Sequence, residues 1–215
     1  MKSKAALSDT LADSSAPGAR PYHHGDLRRA LIAAARVVLE RDGPQALSLR
    51  AVAREAGVSP AAPYHHFKDK GELLGAVALQ GFDDLAATME RARDSVDTDQ
   101  HMTALGVAYV LFARANPALY RVMYDSARDE AALPGGAEHA EDSAFCMVRD
   151  ALIKQRGYAP EEALEIEYAC IAAWCVAHGL AELAGFKQFE PLKAQAGGDG
   201  AFFEAVLKHV GLFHP

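Results

Sequence analysis

The stretch from Ser48 to Lys70 allows very few backbones. It reads Ser-Leu-Arg-Ala-Val-Ala-Arg-Glu-Ala-Gly-Val-Ser and then Pro-Ala-Ala-Pro-Tyr-His-His-Phe-Lys-Asp-Lys. Ser48 is a good N-cap, because its hydroxyl accepts an amide proton that the first turn of a helix leaves unbonded. The helix it starts ends at Ala56 and Gly57, where glycine supplies the left-handed backbone that a tight turn needs. Val52 and Ala53 face inward, and the small Ala53 lets a crossing helix come close. Val58 fills the angle between the helices. Ser59 caps a third helix, with Pro60 at its first position, where a missing N–H is harmless. The pattern is a helix-turn-helix, whose second helix can offer its N-terminal end to a DNA major groove. Pro63 lacks the N–H that would bond back to Ser59, which predicts a tight third helix. Ala61, Ala62 and Pro63 bring little hydrogen-bonding capacity to it and suit thymine methyls.

The remainder also reads as helix, with no convincing strand and no internal repeat. Residues 25–42 carry Leu27, Leu31, Ala34 and Val38 at helical spacing and stop at Gly43-Pro44. Asp69 with Glu72 resembles a capping box and starts a long fourth helix bearing Leu73, Leu74, Val77 and Leu85. A polar break at 94–99 precedes helices at about 100–116 and 117–124. Leu133-Pro134-Gly135-Gly136 is a loop. Helices over 138–156 and 160–184 follow, then a loop over 190–200 containing Pro191 and a Gly-Gly pair. A last helix over 201–212 carries a stripe of Phe203, Leu207 and Val210. The fold class expected is all-α, with about nine helices.

The formal net charge of -7 taken alone argues against nucleic acid. The charge is unevenly placed, however. Residues 1–70 hold 11 Lys and Arg against 7 Asp and Glu, whereas residues 71–215 hold 11 against 22. A basic N-terminal part on an acidic body suits a polyanion reader attached to something that does not touch DNA. Cys146, Cys170 and Cys175 suggest no disulfide framework and are expected to be small buried apolar residues in a reducing cytoplasm. Residues 1–20 have no continuous apolar run and read as a disordered tail. The longest apolar run, 168–177, is far below the roughly 20 residues of a membrane span. The histidine pairs 23–24 and 65–66 are adjacent on helices, do not converge on one ion, and predict no metal site. No phosphate loop, nucleophile elbow or zinc helix motif is present, so neither an enzyme nor a cofactor is expected.

Ala56-Gly57-Val58-Ser59, Tyr64-His65-His66-Phe67, and Lys70 two residues before Glu72-Leu73-Leu74 together resemble the DNA-binding domain of TetR-family regulators. Tyr22-His23-His24-Gly25-Asp26-Leu27-Arg28 is similar to the start of that domain. The resemblance implies a helix-turn-helix DNA-binding domain over 21–72 and a helical ligand-binding and dimerisation domain over 73–215. It implies that Ser48, Tyr64, His66 and Lys70 contact phosphates and that Arg50 reaches a base or the backbone. Ser59 starts the recognition helix, and Ala61, Ala62, Tyr64 and His65 lie on its groove-facing part. Phe67 is core.

In the body, Trp174-Cys175-Val176-Ala177-His178-Gly179 resembles the signature of TetR regulators with a WHG-type C-terminal domain. Trp174 and His178 are one turn apart on one face, which fits either packing or a ligand wall. Tyr109, Phe112, Met123 and Phe145 are candidates for the same wall, and equally for plain core. The helix over 160–184 is apolar all round between Tyr168 and Ala177, so its outer side is expected to be buried by a twin subunit, joined by the stripe of the last helix. The expected protein is a cytoplasmic homodimeric repressor, released from a palindromic double-stranded operator by a small, lipophilic effector. The alternatives are a helical enzyme or carrier with a vestigial head, and a TetR-type activator without ligand.

Overall fold

The computed structural model describes residues 24–127 and 140–213. The expected tail over 1–20, Tyr22 and His23 of the N-terminal motif, and the loop at 133–136 lie outside them. The described residues form nine α-helices and no strand. They are α1 (His24–Asp42), α2 (Leu49–Glu55), α3 (Lys70–Asp94), α4 (His101–Ala115), α5 (Pro117–Ala127), α6 (Ala140–Arg156), α7 (Ala163–Leu183), α8 (Glu190–Ala196) and α9 (Asp199–Lys208). Short 3-10 turns occupy Ala62–His65, Thr98–Gln100, Pro160–Glu162 and Lys187–Phe189.

The periodicity of α1 sets the first core. Leu31, Ala35 and Leu39 are fully buried against Val52 and Ala53 of α2 and Phe67 of the following turn. α3 then ties this head to the body. It starts on the Asp69 cap, whose side chain accepts from the Glu72 amide at 3.0 Å, while Glu72 Oε2 accepts from the Lys68 amide at 2.7 Å. From there α3 runs on as one helix and packs on α4, α5 and α6. Gly81 lets α5 approach, since a Cβ there would sit 2.7 Å from Met123 Sδ. Two further contacts join head to body. The Arg36 guanidinium of α1 pairs with Asp84 of α3. Glu40 Oε1 of α1 accepts the Leu119 amide at 3.0 Å, satisfying a free donor in the first turn of α5.

Three expectations need correction. The segment 190–200 is not a plain loop. Pro191 sits in the first turn of α8, where proline is tolerated, and Gly197 ends that helix with φ +95°. The apolar stripe of the last helix is not on the outside. Phe203 and Leu207 are fully buried, on a helix that packs against α4. Cys175 is exposed on α7, whereas Cys170 is buried as expected and Cys146 half-buried.

Candidate functional site: a helix-turn-helix head and a cavity in the body

In the head, Ser48 has extended backbone and its Oγ accepts the Ala51 amide at 3.1 Å. Gly57 takes φ +68°, and the Val58 amide closes the turn on the Ala53 carbonyl at 3.0 Å. The third element departs from expectation. It is a 3-10 turn rather than an α-helix, and Ala61, not Ser59, precedes it, with no side-chain cap. Pro63 explains this. With no Pro63 N–H to take the Ser59 carbonyl, the Ala62 amide takes it at 3.0 Å, and Tyr64 bonds to Ala61 at 3.2 Å. The tightness expected from Pro63 thus takes the form of a change in helix type.

Arg50, Ser59, Ala61, Tyr64 and His65 are exposed, and Ala62, His66 and Lys70 are half-buried. Phe67 is buried as expected, and the Arg28 guanidinium stands 5.2 Å from its ring centroid. That cation–π contact was not legible in sequence, because its partners lie on different elements. Lys70 Nζ donates to the Pro44 carbonyl at 2.8 Å, which holds its charge beside the turn after α1. Arg41 is less suited to phosphate. It is clamped by Asp42 and Glu55, and those hydrogen bonds hold it above its ordinary range and Asp42 below the usual carboxylate range.

The body holds a narrow apolar cavity of about 50 Å³, partly open to solvent. Its walls come from α3, α4, α5, α6 and α7. Tyr109, Phe145 and Trp174 line it, together with Phe82 and Tyr124. No charged side chain lines it. Cys170 also faces it, its thiol pushed up to about 11 by burial. The other three candidates lie elsewhere. Phe112 is core, Met123 packs over Gly81, and His178 stands behind the wall. His178 Nδ1 lies 2.6 Å from the Tyr120 hydroxyl and 3.0 Å from that of Tyr109, which is itself 2.7 Å from the Tyr124 hydroxyl. Burial, then the neighbouring Tyr109, pushes the Tyr120 phenol well above its ordinary range and keeps it protonated. The tyrosine set knits α4, α5 and α7. Sequence reasoning missed Tyr120 and Tyr124, although they recur at i, i+4 on α5.

The outer side of α7 is apolar and uncovered in the single chain. Leu164, Tyr168 and Ile171 are 61%, 55% and 52% exposed. Leu183, Phe186 and Leu192, between the end of α7 and α8, are also about half exposed. α7 is also long and apolar enough, by length and composition, to cross a membrane, but it packs on α4 and α6.

Residues 31–77 match the family described as bacterial regulatory proteins, tetR family, and residues 102–210 match the tetracyclin repressor-like C-terminal domain. An HTH-type transcriptional regulator of Mycobacterium tuberculosis is 36% identical over 87 residues, a match spanning 39% of this chain and 37% of that protein. The uncharacterized HTH-type regulator YobS of Bacillus subtilis is 27% identical over 138 residues, 64% of this chain and 69% of that one. A Rhodococcus sp. RHA1 protein of unknown function is 34% identical, with TM-score 0.64, over 87% of this chain and 98% of its own. A tetR-family regulatory protein from Rhodococcus RHA1, 22% identical, shares the fold with TM-score 0.61 over 86% of this chain and 94% of that one. Two family matches, one to the head and one to the body, thus agree with the helix-turn-helix geometry, and the chain belongs to the TetR family of DNA-binding transcriptional regulators.

Proposed function

We propose that this regulator is a cytoplasmic homodimeric repressor, released from a palindromic operator by an uncharged, mostly apolar small molecule. One observation carries the reading. The aromatic cavity is joined to the head through α5 as well as α3, because α5 carries Tyr124 into the cavity wall and has its first turn capped by Glu40 of α1. The head would span residues 21–72 and the body 73–215. A ligand that favours one placement of Tyr124 biases the placement of α1, and it weakens DNA binding only through its differential affinity for the two arrangements. A charged ligand fits poorly, since it would be desolvated with no counter-ion among the lining residues.

Ser48, Arg50, the Tyr64 hydroxyl, His66 and Lys70 supply the phosphate and backbone contacts in this reading. Lys70→Ala is expected to weaken binding about equally on all sequences and to lower the salt slope of log K by roughly one unit. A Lys70→Ala protein with changed sequence preference and an unchanged slope would contradict the phosphate role.

The test of release is operator anisotropy during titration with a panel of neutral apolar compounds. Any compound that releases the wild type then separates ligand wall from packing. Trp174→Phe keeps an aromatic ring, and His178→Gln keeps a hydrogen-bonding group beside Tyr120. Both variants should hold operator nearly as tightly as wild type and need several-fold more compound to let go. A lowered melting temperature with an unmoved release curve would assign both residues to packing alone.

A further inference from the structure

The 3-10 geometry of the recognition turn has a consequence for which base feature it reads. A 3-10 helix has three residues per turn, so side chains at i and i+3 stand in line. In Ala61–His66 this gives three ridges. Pro63 and His66 form the inner one, with Pro63 buried; Ala62 and His65 flank it; Ala61 and Tyr64 form the outer one, both exposed, Tyr64 at 54%. The outermost ridge is thus a methyl group beside an aromatic ring. Neither side chain has the two-pronged donor or acceptor set that distinguishes guanine or adenine edges. Alanine methyls and aromatic faces do match one major-groove feature, the thymine C5-methyl. Pro63 is what aligns the two, since it forces the 3-10 spacing.

We infer that the recognition turn specifies its half-site by seating a thymine methyl between the Ala61 methyl and the Tyr64 ring, not by bidentate hydrogen bonds to a purine. The inference rests on the DNA-binding role of the family and is independent of repression or ligand release. Arg50, exposed one element earlier, remains able to fork on a guanine, so each half-site would combine one methyl-read step with at most one forked contact.

The experiment selects bound duplexes from a random library with the full-length protein, then replaces each thymine of the enriched half-site by deoxyuridine. That exchange removes only the methyl. Anisotropy at fixed salt should show one or two thymines whose replacement weakens binding about fourfold each, the worth of one buried carbon. Ala61→Gly and Tyr64→Ser should bind wild-type sites more weakly and become indifferent to uracil at that position, with the salt slope unchanged and melting checked in parallel. Two results would overturn the inference with DNA binding intact: thymine and uracil bound equally throughout, or enrichment of G·C pairs alone that Arg50→Ala abolishes. Salt-dependent binding with no enriched sequence would overturn it as well. An absence of any DNA binding would overturn the regulator reading itself and this inference with it.

Discussion

Ile171→Glu is expected to yield a folded monomer that no longer holds its operator. Leu164, Tyr168 and Ile171 recur at i, i+4, i+7 on α7, so they form one stripe along a single face. Each is more than half exposed in the single chain, at 61%, 55% and 52%. Such a stripe is what a self-complementary interface presents. Because Ile171 is exposed within its own subunit, a glutamate there meets water in the monomer and leaves the protomer core alone. In a two-fold interface each subunit would bring one such charge, and an unpaired buried charge costs several kcal/mol, about 3–5 in measured cases. That is enough to dissociate a micromolar assembly. The loss at DNA follows from geometry. A single head meets only one half-site, and losing the second tethered contact lowers affinity by roughly 10² to 10⁴. Sedimentation velocity with circular dichroism would show a helical monomer, and operator anisotropy would show the fall. A wild-type protein that sediments as a monomer at micromolar concentration would defeat the idea before any mutation is made.

The outer side of α7 also shows how far sequence carries. The all-round apolarity of 168–177 pointed to an apolar outer side, and Tyr168 and Ile171 stand exposed on that side of α7. The same reasoning gave the last helix to the interface, and there it failed. A stripe of Phe203, Leu207 and Val210 marks a buried side without saying against what, and α4 of the same chain takes it. The head was legible because its determinants are local: Ser48 caps three residues on, Gly57 sets one turn, and Val52 and Ala53 face one neighbour. Ser59 was misplaced because Pro63, four residues away, decides which amide takes its carbonyl. The cavity was legible only in part. Tyr109, Phe145 and Trp174 meet there, but whether an aromatic residue lines a void or fills a core depends on crossings that periodicity does not encode. His178 was identified for its place beside Trp174, yet its partners Tyr120 and Tyr109 come from two other helices. Tyr120 and Tyr124 escaped because on the inward face of α5 they look like ordinary core aromatics.

Lys193 also escaped, and its replacement is expected to destabilise the body markedly. Nothing in Glu-Pro-Leu-Lys-Ala-Gln-Ala marks this lysine as different from any surface lysine, yet it is only 2% exposed. Its Nζ donates to the Ala184 carbonyl at the end of α7 at 2.7 Å and to Glu190 Oε1 at 2.8 Å. It also lies 3.6 Å from Asp199 Oδ1, while Asp199 takes Arg114 of α4 at 2.8 Å through its other oxygen. One ammonium thus joins the end of α7, α8 and the start of α9. The Phe203 ring lies 6.0 Å from the ammonium and adds a cation–π contact. Two effects oppose each other on replacement. Removing the charge relieves its desolvation, which is why apolar replacement of some buried ion pairs is neutral. Against that, methionine cannot donate to the Ala184 carbonyl, and a buried acceptor left unmatched costs about 1–3 kcal/mol. Glu190 is 60% exposed and returns to water, and Asp199 keeps Arg114, so neither carboxylate is stranded. The carbonyl therefore decides the sign. Lys193→Met should destabilise by about 1–2 kcal/mol. Lys193→Ala also empties the space of the aliphatic stem and should cost about 3 kcal/mol or more. For a chain of this size each 1 kcal/mol lowers Tm by roughly 2–4 °C, so the alanine variant should melt about 6–12 °C below wild type. Thermal melts of both variants beside wild type measure this, and a Lys193→Met protein as stable as wild type would show that relief of desolvation outweighs the orphaned carbonyl.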